Sequence, residues 1–262
     1  MYNFGFEKPG TVAEAAAALA AEDAQALGGG QTLIPTLKQR LASPTTLVSL
    51  SGVSEMKGIF TDRGGSVEIG GATTHAEVAA GVGSTQPALA DLAAHIGDPA
   101  VRNRGTIGGS LANNDPSACY PAAALACGAT ITTNKRDIAA DDFFQGLFTT
   151  ALEEGEIIVK VSFPDPDKAN YQKFVQPASR FALVGVFVAV RGSEVRVAVT
   201  GASNDGVHRW GDAEAALSGN FSPDAVPAAP SADNMISDLH GTAAYRAHLV
   251  QVMTKRAVAA AG

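Results

Sequence analysis

Between Gly97 and Pro121 the chain reads GDPAVRNRGTIGGSLANNDPSACYP, a run of glycine, small hydroxyls, amides and aspartate with almost no large apolar side chain. Such a composition shapes main chain to lie against something. Gly105, Gly108 and Gly109 remove Cβ where a ligand approaches the backbone, and they admit positive φ. Successive N–H groups in such a loop can form a concave anion site, and Arg102 and Arg104 add positive charge nearby. A second glycine cluster, Gly28, Gly29, Gly30, Gln31 and Thr32, precedes Leu33, Ile34 and Pro35. Two separated glycine loops suit a ligand with an extended polyanionic middle, such as a dinucleotide. The plainer reading makes each of them a tight turn between strands.

Other chemistries find less support. A nicotinamide-type fingerprint needs G-x-G-x-x-G between strand and helix. Gly28-Gly-Gly30-Gln-Thr-Leu33 lacks the third glycine, Gly81-Val-Gly83-Ser-Thr-Gln86 also fails, and no phosphate loop ending in Gly-Lys-Ser/Thr is present. The five histidines, His75, His95, His208, His240 and His248, show no metal-ligand spacing, and no Ser–His–Asp arrangement emerges. Two cysteines, Cys119 and Cys127, are too few for an iron–sulfur cluster, which takes about four thiolates, or for a disulfide framework. Net charge is −7, which argues against a general nucleic-acid surface. The most apolar segment, Phe181 to Val190, is too short to cross a membrane. The N-terminus shows no basic region followed by an apolar run, so no secretory signal is expected and a cytoplasmic location is.

Taken together, GGGQTLIP (28–35) and RNRGTIGGSLANNDPSACYPAAAL (102–125) resemble the two flavin-binding loops of the medium subunit of molybdenum hydroxylases, the carbon monoxide dehydrogenase and xanthine dehydrogenase family. The resemblance continues through GLFTTALEEGEIIVKVSFP (146–164), YQKFVQPASRFALVGV (171–186) and DLHGTAAYRAHLVQVMTKRAV (238–258), and so covers essentially the whole chain. It implies an α+β fold: two subdomains, 1–55 and 56–165, clasp FAD in the manner of vanillyl-alcohol oxidase (the PCMH type). A C-terminal domain, 168–262, has an antiparallel sheet packed on helices. It implies further that the loops Gly28–Thr32 and Thr106–Ser110 (Thr106, Ile107, Gly108, Gly109, Ser110) offer backbone N–H groups to the pyrophosphate. Leu33 and Ile107 would pack on apolar parts of the cofactor. Asn113, Asn114 and Asp115 would reach ribityl or ribose hydroxyls, unless they form only an Asx turn before Pro116. Leu27 and Arg104 complete the set. Ile158 aligns with the apolar residue against the isoalloxazine region, and Lys173 with a cation near the ring that favours its reduced anion. Cys119 departs from the pattern, because relatives often carry aspartate there. A thiol is a weaker hydrogen-bond partner, so that contact is not carried over.

The implied role is electron transfer. A large molybdopterin subunit oxidises the substrate, a small subunit with two [2Fe–2S] clusters relays electrons, and this chain's FAD delivers them to an external acceptor. The assembly would be a heterotrimer or a dimer of heterotrimers, without nucleic acid or membrane. A stand-alone flavin oxidase and a scaffold that no longer binds flavin are the alternatives.

The elements that must position these residues are legible in outline. Thr11-Val-Ala-Glu14 and Thr74-His-Ala-Glu77 are capping boxes opening helices, the first running to about Asp23. Ala26 and Leu27 form a strand into the glycine turn, Gln31 to Leu41 a helix, and Leu47 to Leu50 a strand. Val67 and Ile69 alternate with polar residues as a strand does, and Pro87 to Ile96 reads as a helix. The glycine stretch reads as a loop, with a further helix beginning near Pro121. Ala129–Thr133 and Asp137–Ala140 suggest a hairpin, Asp141–Phe148 a short helix, and Ile157–Phe163 a strand before a Pro-Asp-Pro-Asp linker. Tyr171–Val175, Phe181–Val190 and Val195–Thr200 read as antiparallel strands. Asp212–Leu217 and Thr242–Ala261 read as helices, the last with Leu249, Val252 and Met253 inward. At 46% apolar and 17% charged residues, the 262-residue chain has ample core for two or three subdomains.

Overall fold

The computed structural model describes residues 1–262. Three sheets follow one another along the chain, each drawn from a contiguous stretch. The first is small and parallel: β1 (Gly5–Glu7), α1 (Val12–Leu19), β2 (Ala24–Leu27), α2 (Leu33–Lys38) and β3 (Thr46–Ser49), with spatial order β1-β3-β2. The first helix starts as read, since the Thr11 hydroxyl accepts the Glu14 N–H, whereas the second starts at Leu33 and not at Gln31. Both end earlier than the apolar pattern suggests, α1 at Leu19 and α2 at Lys38.

The second sheet is antiparallel, ordered β4-β5-β10-β6-β7. Its strands are β4 (Ile59–Thr61), β5 (Val67–Gly70), β6 (Thr130–Thr133), β7 (Asp137–Ala139) and β10 (Ile158–Phe163). Between β5 and β6 the chain forms α3 (His75–Gly81), α4 (Pro87–Ala94), α5 (Pro99–Arg102), α6 (Ile107–Asn113) and α7 (Tyr120–Cys127). The glycine stretch is therefore not a loop throughout. Asp98 caps α5 through the Val101 N–H, and Thr106 caps α6 through the Gly109 N–H. Between β7 and β10 lie α8 (Ala140–Phe143) and a two-strand hairpin, β8 (Phe144–Gly146) and β9 (Thr149–Thr150). The single helix expected over 141–148 is thus half helix and half hairpin.

The third sheet, ordered β11-β12-β13-β14, is antiparallel: β11 (Lys168–Val175), β12 (Ala182–Arg191), β13 (Glu194–Ser203) and β14 (Gly206–Arg209). β14 lies between the strand read to Thr200 and the helix read from Asp212, where the sequence pattern marks no element. Helices α9 (Gly211–Gly219) and α10 (Ala243–Ala261) follow.

Packing explains the compositions. Helix α7 is YPAAALAC, buried at every position, and small residues all round let it sit between the second sheet and the third. β12 is buried on both faces: Phe187 and Ala189 join the core around α7, while Val184, Val186 and Val188 join the core under α9 and α10. Leu249 and Met253 face that second core as expected, with Val252 half-buried at its margin.

Candidate functional site

The two glycine stretches meet. β2 delivers the chain into Gly28–Gly30, and α2 carries it away, with Gly30 at φ +72°. A methyl group added at Gly29 would overlap the Arg104 carbonyl and stand 2.6 Å from Gly105 Cα. One added at Gly28 would touch the Thr106 hydroxyl at 3.0 Å. These turns are glycine because each is the other's packing surface.

The second stretch is anchored from below. The His75 N–H donates to the Gly105 carbonyl, Ile107 N–H to Thr73 and Gly108 N–H to Gly71, all at 2.9–3.1 Å. Gly71 in turn donates to the Val159 carbonyl in β10. A Cβ at Gly108 would strike the Gly71 carbonyl at 2.6 Å, so the start of α6 can approach the end of β5 only as glycine.

Where the stretches meet they enclose a cleft of about 490 Å³. Its lining includes Leu27, Gly28, Gly29, Gly30, Gln31, Thr32, Leu33, Thr106, Gly108, Gly109, Ser110, Asn113 and Ile158. Four predicted residues lie elsewhere. Ile107 is fully buried beneath the cleft. Asp115 turns back to accept the Ser117 N–H at 2.8 Å, the Asx turn that was the plainer reading. Lys173, on β11, donates to the His95 carbonyl at the end of α4, 2.9 Å away. Arg104 lines a neighbouring depression. Cys119 is buried beside the Tyr171 hydroxyl and lines neither cavity.

The cleft's donors are unevenly divided. The backbone N–H groups of Gly28, Gly29, Gly30, Gln31 and Thr32 find no acceptor within the protein. Five such donors in sequence, half-buried at Gly28–Gly30 and exposed at Gln31 and Thr32, are open to solvent or to a ligand's acceptors. The other stretch differs from expectation. Ile107, Gly108 and Ser110 N–H groups bond to Thr73, Gly71 and Thr106 carbonyls, and Gly109 N–H to the Thr106 hydroxyl. Because α6 is a helix, its backbone donors are engaged. What it presents to the cleft is the Ser110 hydroxyl and the Asn113 amide.

No lysine or arginine lines the cleft. Its two ionisable residues are both held in one state. The Glu156 side chain is fully buried, bonded to the Thr133 hydroxyl at 2.6 Å and to Arg136 at 3.2 Å, which holds its pKa down at about 2. His75 is held down to about 4 by burial and by Arg102, and its Nδ1 has no partner. It is therefore a neutral imidazole at physiological pH.

Both residues, missed as cleft residues in the sequence, make stability pH-dependent. A lowered folded pKa means that the unfolded chain binds more protons, so stability falls as pH falls. For His75 the window is roughly pH 6.5 down to 4, with up to about 3 kcal/mol at stake. For Glu156 it lies lower, between its ordinary carboxylate pKa and about 2. Urea unfolding of His75→Gln should show a flatter slope between pH 7 and 4 than wild type. An unchanged slope would remove His75 from this account.

A FAD-sized dinucleotide fits these features. The pyrophosphate would take the Gly28–Thr32 donors, neutral dipoles that bind an anion with little reorganisation. Comparisons with known proteins agree. Residues 2–166 match the family described as the FAD-binding domain in molybdopterin dehydrogenase. The nicotine 6-hydroxylase medium subunit of Paenarthrobacter nicotinovorans is 36% identical, covering 92% of this chain and 90% of its own. The carbon monoxide dehydrogenase medium chain of Hydrogenophaga pseudoflava is 34% identical over 98% of this chain and 96% of its own. The solved carbon monoxide dehydrogenase of that organism superposes with a TM-score of 0.89 at 34% identity, covering 99% of this chain and 97% of the solved one. Quinoline 2-oxidoreductase from Pseudomonas putida 86 superposes at 0.87 and 29% identity, over 99% and 97%. The α+β fold read from the sequence thus recurs across the whole chain, and the protein belongs to the family of FAD-binding domains in molybdopterin dehydrogenases.

Proposed function

We propose that this chain is the FAD-carrying medium subunit of a molybdenum hydroxylase, an oxidoreductase subunit that takes electrons from a [2Fe–2S] subunit and passes them to an external acceptor. Residues 1–55 and 56–165 form the two halves of the cofactor-binding unit, and 168–262 its C-terminal domain. The observation that carries the reading is the row of five unpartnered N–H groups, Gly28 to Thr32, facing a cleft without lysine or arginine. Leu27, Leu33 and Ile158 supply the apolar wall, and Ser110 and Asn113 the polar side chains.

Bound FAD supplies storage for an electron pair that can be loaded one electron at a time. The protein's own part is to bind, orient and shield. The cleft offers no general acid–base pair, since Glu156 is locked in its ion pair and His75 stays neutral. That fits a carrier of electrons better than an oxidase acting on its own substrate, which needs a base beside the ring. The two cysteines are buried and too few for a cluster, so iron–sulfur relay falls to a small partner carrying two [2Fe–2S] clusters, and substrate oxidation to a large molybdopterin subunit. We place the complex, a heterotrimer or a pair of them, in the cytoplasm; no helix is long and apolar enough to cross a membrane.

The test is spectroscopic. The purified chain is titrated with FAD, freed of excess, and its visible spectrum recorded before and after dithionite and again in air. Stoichiometric flavin bands that bleach and return are expected. Reduction of that flavin by substrate should require the co-purified partner subunits. A chain that retains no flavin, alone or with its partners, would sink the proposal.

A further inference from the structure

A second depression, of about 130 Å³, shares Gly28, Gly29, Ala72 and Thr106 with the main cleft. Its remaining wall is Ser51, Lys57, Thr74, Glu77, Asn103 and Arg104. Lys57 and Arg104 make no ion pair or side-chain hydrogen bond within the chain. Nearby cations are engaged: Arg102 donates to the Ile96 and Gly97 carbonyls, and Lys160 pairs with Glu68.

The one acid in this wall is also engaged. Glu77 Oε2 accepts the Thr74 N–H and the Thr74 hydroxyl, both at 2.7 Å, closing the capping box. The wall therefore carries two cations that make no side-chain hydrogen bond and one carboxylate, Glu77, whose charge Lys57 offsets in part. The Asn103 amide makes no hydrogen bond, and the unpartnered Gly28 and Gly29 N–H groups lie in the shared rim. The Arg104 backbone is fixed, because its carbonyl packs against Gly29. The depression has room for a phosphate group.

We propose that this depression is an oxyanion subsite, adjoining the main cleft along the Gly28–Gly29 rim, which binds a single phosphate group through Lys57 and Arg104. The group comes either from free phosphate or from a soluble nucleotide whose remainder lies outside the pocket. Two cations lining one depression, with an amide side chain beside them, can bind phosphate as a point charge and a hydrogen-bond fork. Neither cation lines the main cleft, where neutral donors await the pyrophosphate.

The experiment is calorimetric titration of the full chain with inorganic phosphate and with AMP, in low-chloride buffer. It is run on the chain as purified and on FAD-saturated chain. Saturable phosphate binding is expected in both. Lys57→Gln with Arg104→Gln should weaken it at least tenfold, with FAD content and thermal midpoint unchanged. The Lys57→Arg, Arg104→Lys pair should restore most of it. AMP bound at least tenfold tighter than phosphate on the FAD-saturated chain, through the same two residues, identifies a nucleotide as the source. Equal affinities identify the free ion. Absence of saturable binding, or unchanged affinity in the double Gln variant, overturns the subsite. So does loss of FAD in that variant, which would show that the cations serve the cofactor itself. A chain that binds phosphate but never FAD would instead fail the functional reading and leave the subsite standing.

Discussion

Gly29→Ala should yield a folded chain without flavin. The added methyl overlaps the Arg104 carbonyl and crowds Gly105 Cα at 2.6 Å. Both obstacles are backbone, so no rotamer change relieves them, and the two glycine stretches must part. Overpacking of this kind costs about 3 kcal/mol. Parting the stretches also moves the Gly28–Thr32 turn away from α6 and distorts the cleft they line together, so FAD affinity should fall by at least about 100-fold, some 3 kcal/mol of binding energy. The control is Gly219→Ala at the end of α9. There an added methyl meets nothing within 4 Å and φ is not positive. Removing backbone freedom from the unfolded chain should leave it neutral or stabilised by up to about 1 kcal/mol. The pair is read by far-ultraviolet circular dichroism, urea unfolding and flavin content. Normal flavin content in folded Gly29→Ala would show that contact between the stretches does not build the site.

That contact also marks how far the sequence can be read. Gly28–Gly30 is legible because a triple glycine between a strand and a helix announces close approach or positive φ, and both occur. What it approaches is about 75 positions away and carries no local signal. The stretch from Gly97 to Pro121 looks like a loop because glycines and amides dominate it. Yet Thr106 caps a helix, and Gly108 and Gly109 sit in its first turn, where backbone donors are taken by carbonyls and by the cap. Tertiary approach to Gly71 outweighs the poor helix propensity of glycine there. Lys173 fails for a different reason. Its strand is legible, but its partner is the free carbonyl at the end of α4, contributed by a residue 78 positions earlier. His75 was hidden in plain view: Thr74 and Glu77 announce the cap, while the residue between them enters the cleft wall only because α3 packs beneath Gly105. Glu156 looks like one of several surface acids in LEEGEI, and only the approach of Arg136 and Thr133 shows it to be buried.

The second large effect lies far from the cleft. Arg246 on α10 is 2% exposed. One end nitrogen donates to the Leu183 and Gly201 carbonyls, each at 2.7 Å, and the other grips both Asp238 oxygens at 2.8–2.9 Å. Gly201 stands at φ +82° within β13, and its N–H donates to the Pro116 carbonyl at 2.7 Å. The Thr200 hydroxyl lies within hydrogen-bond distance of the Pro116 and Ala118 carbonyls. The guanidinium thus fixes the strand that in turn fixes the segment following α6. Arg246→Met removes the charge, takes the guanidinium donor from two buried carbonyls, and leaves the Asp238 carboxylate with only the His240 and Gly241 N–H groups. Losing one partner of a buried pair costs about 3–5 kcal/mol. Asp238 can recover water, being 37% exposed at its side chain, so the lower part of that range applies. Arg246→Lys should not rescue, because a single ammonium cannot serve two carbonyls and a bidentate carboxylate in one plane. Asp238→Asn should cost less, about 1–2 kcal/mol, since the carbonyl bonds survive. Urea unfolding of the three variants and of the Arg246→Met, Asp238→Asn double variant measures the coupling. Non-additivity of at least about 1 kcal/mol is expected for groups in direct contact. An Arg246→Met chain as stable as wild type would mean that α10 is held by its apolar face alone, and that the Pro116 segment keeps its place without the guanidinium.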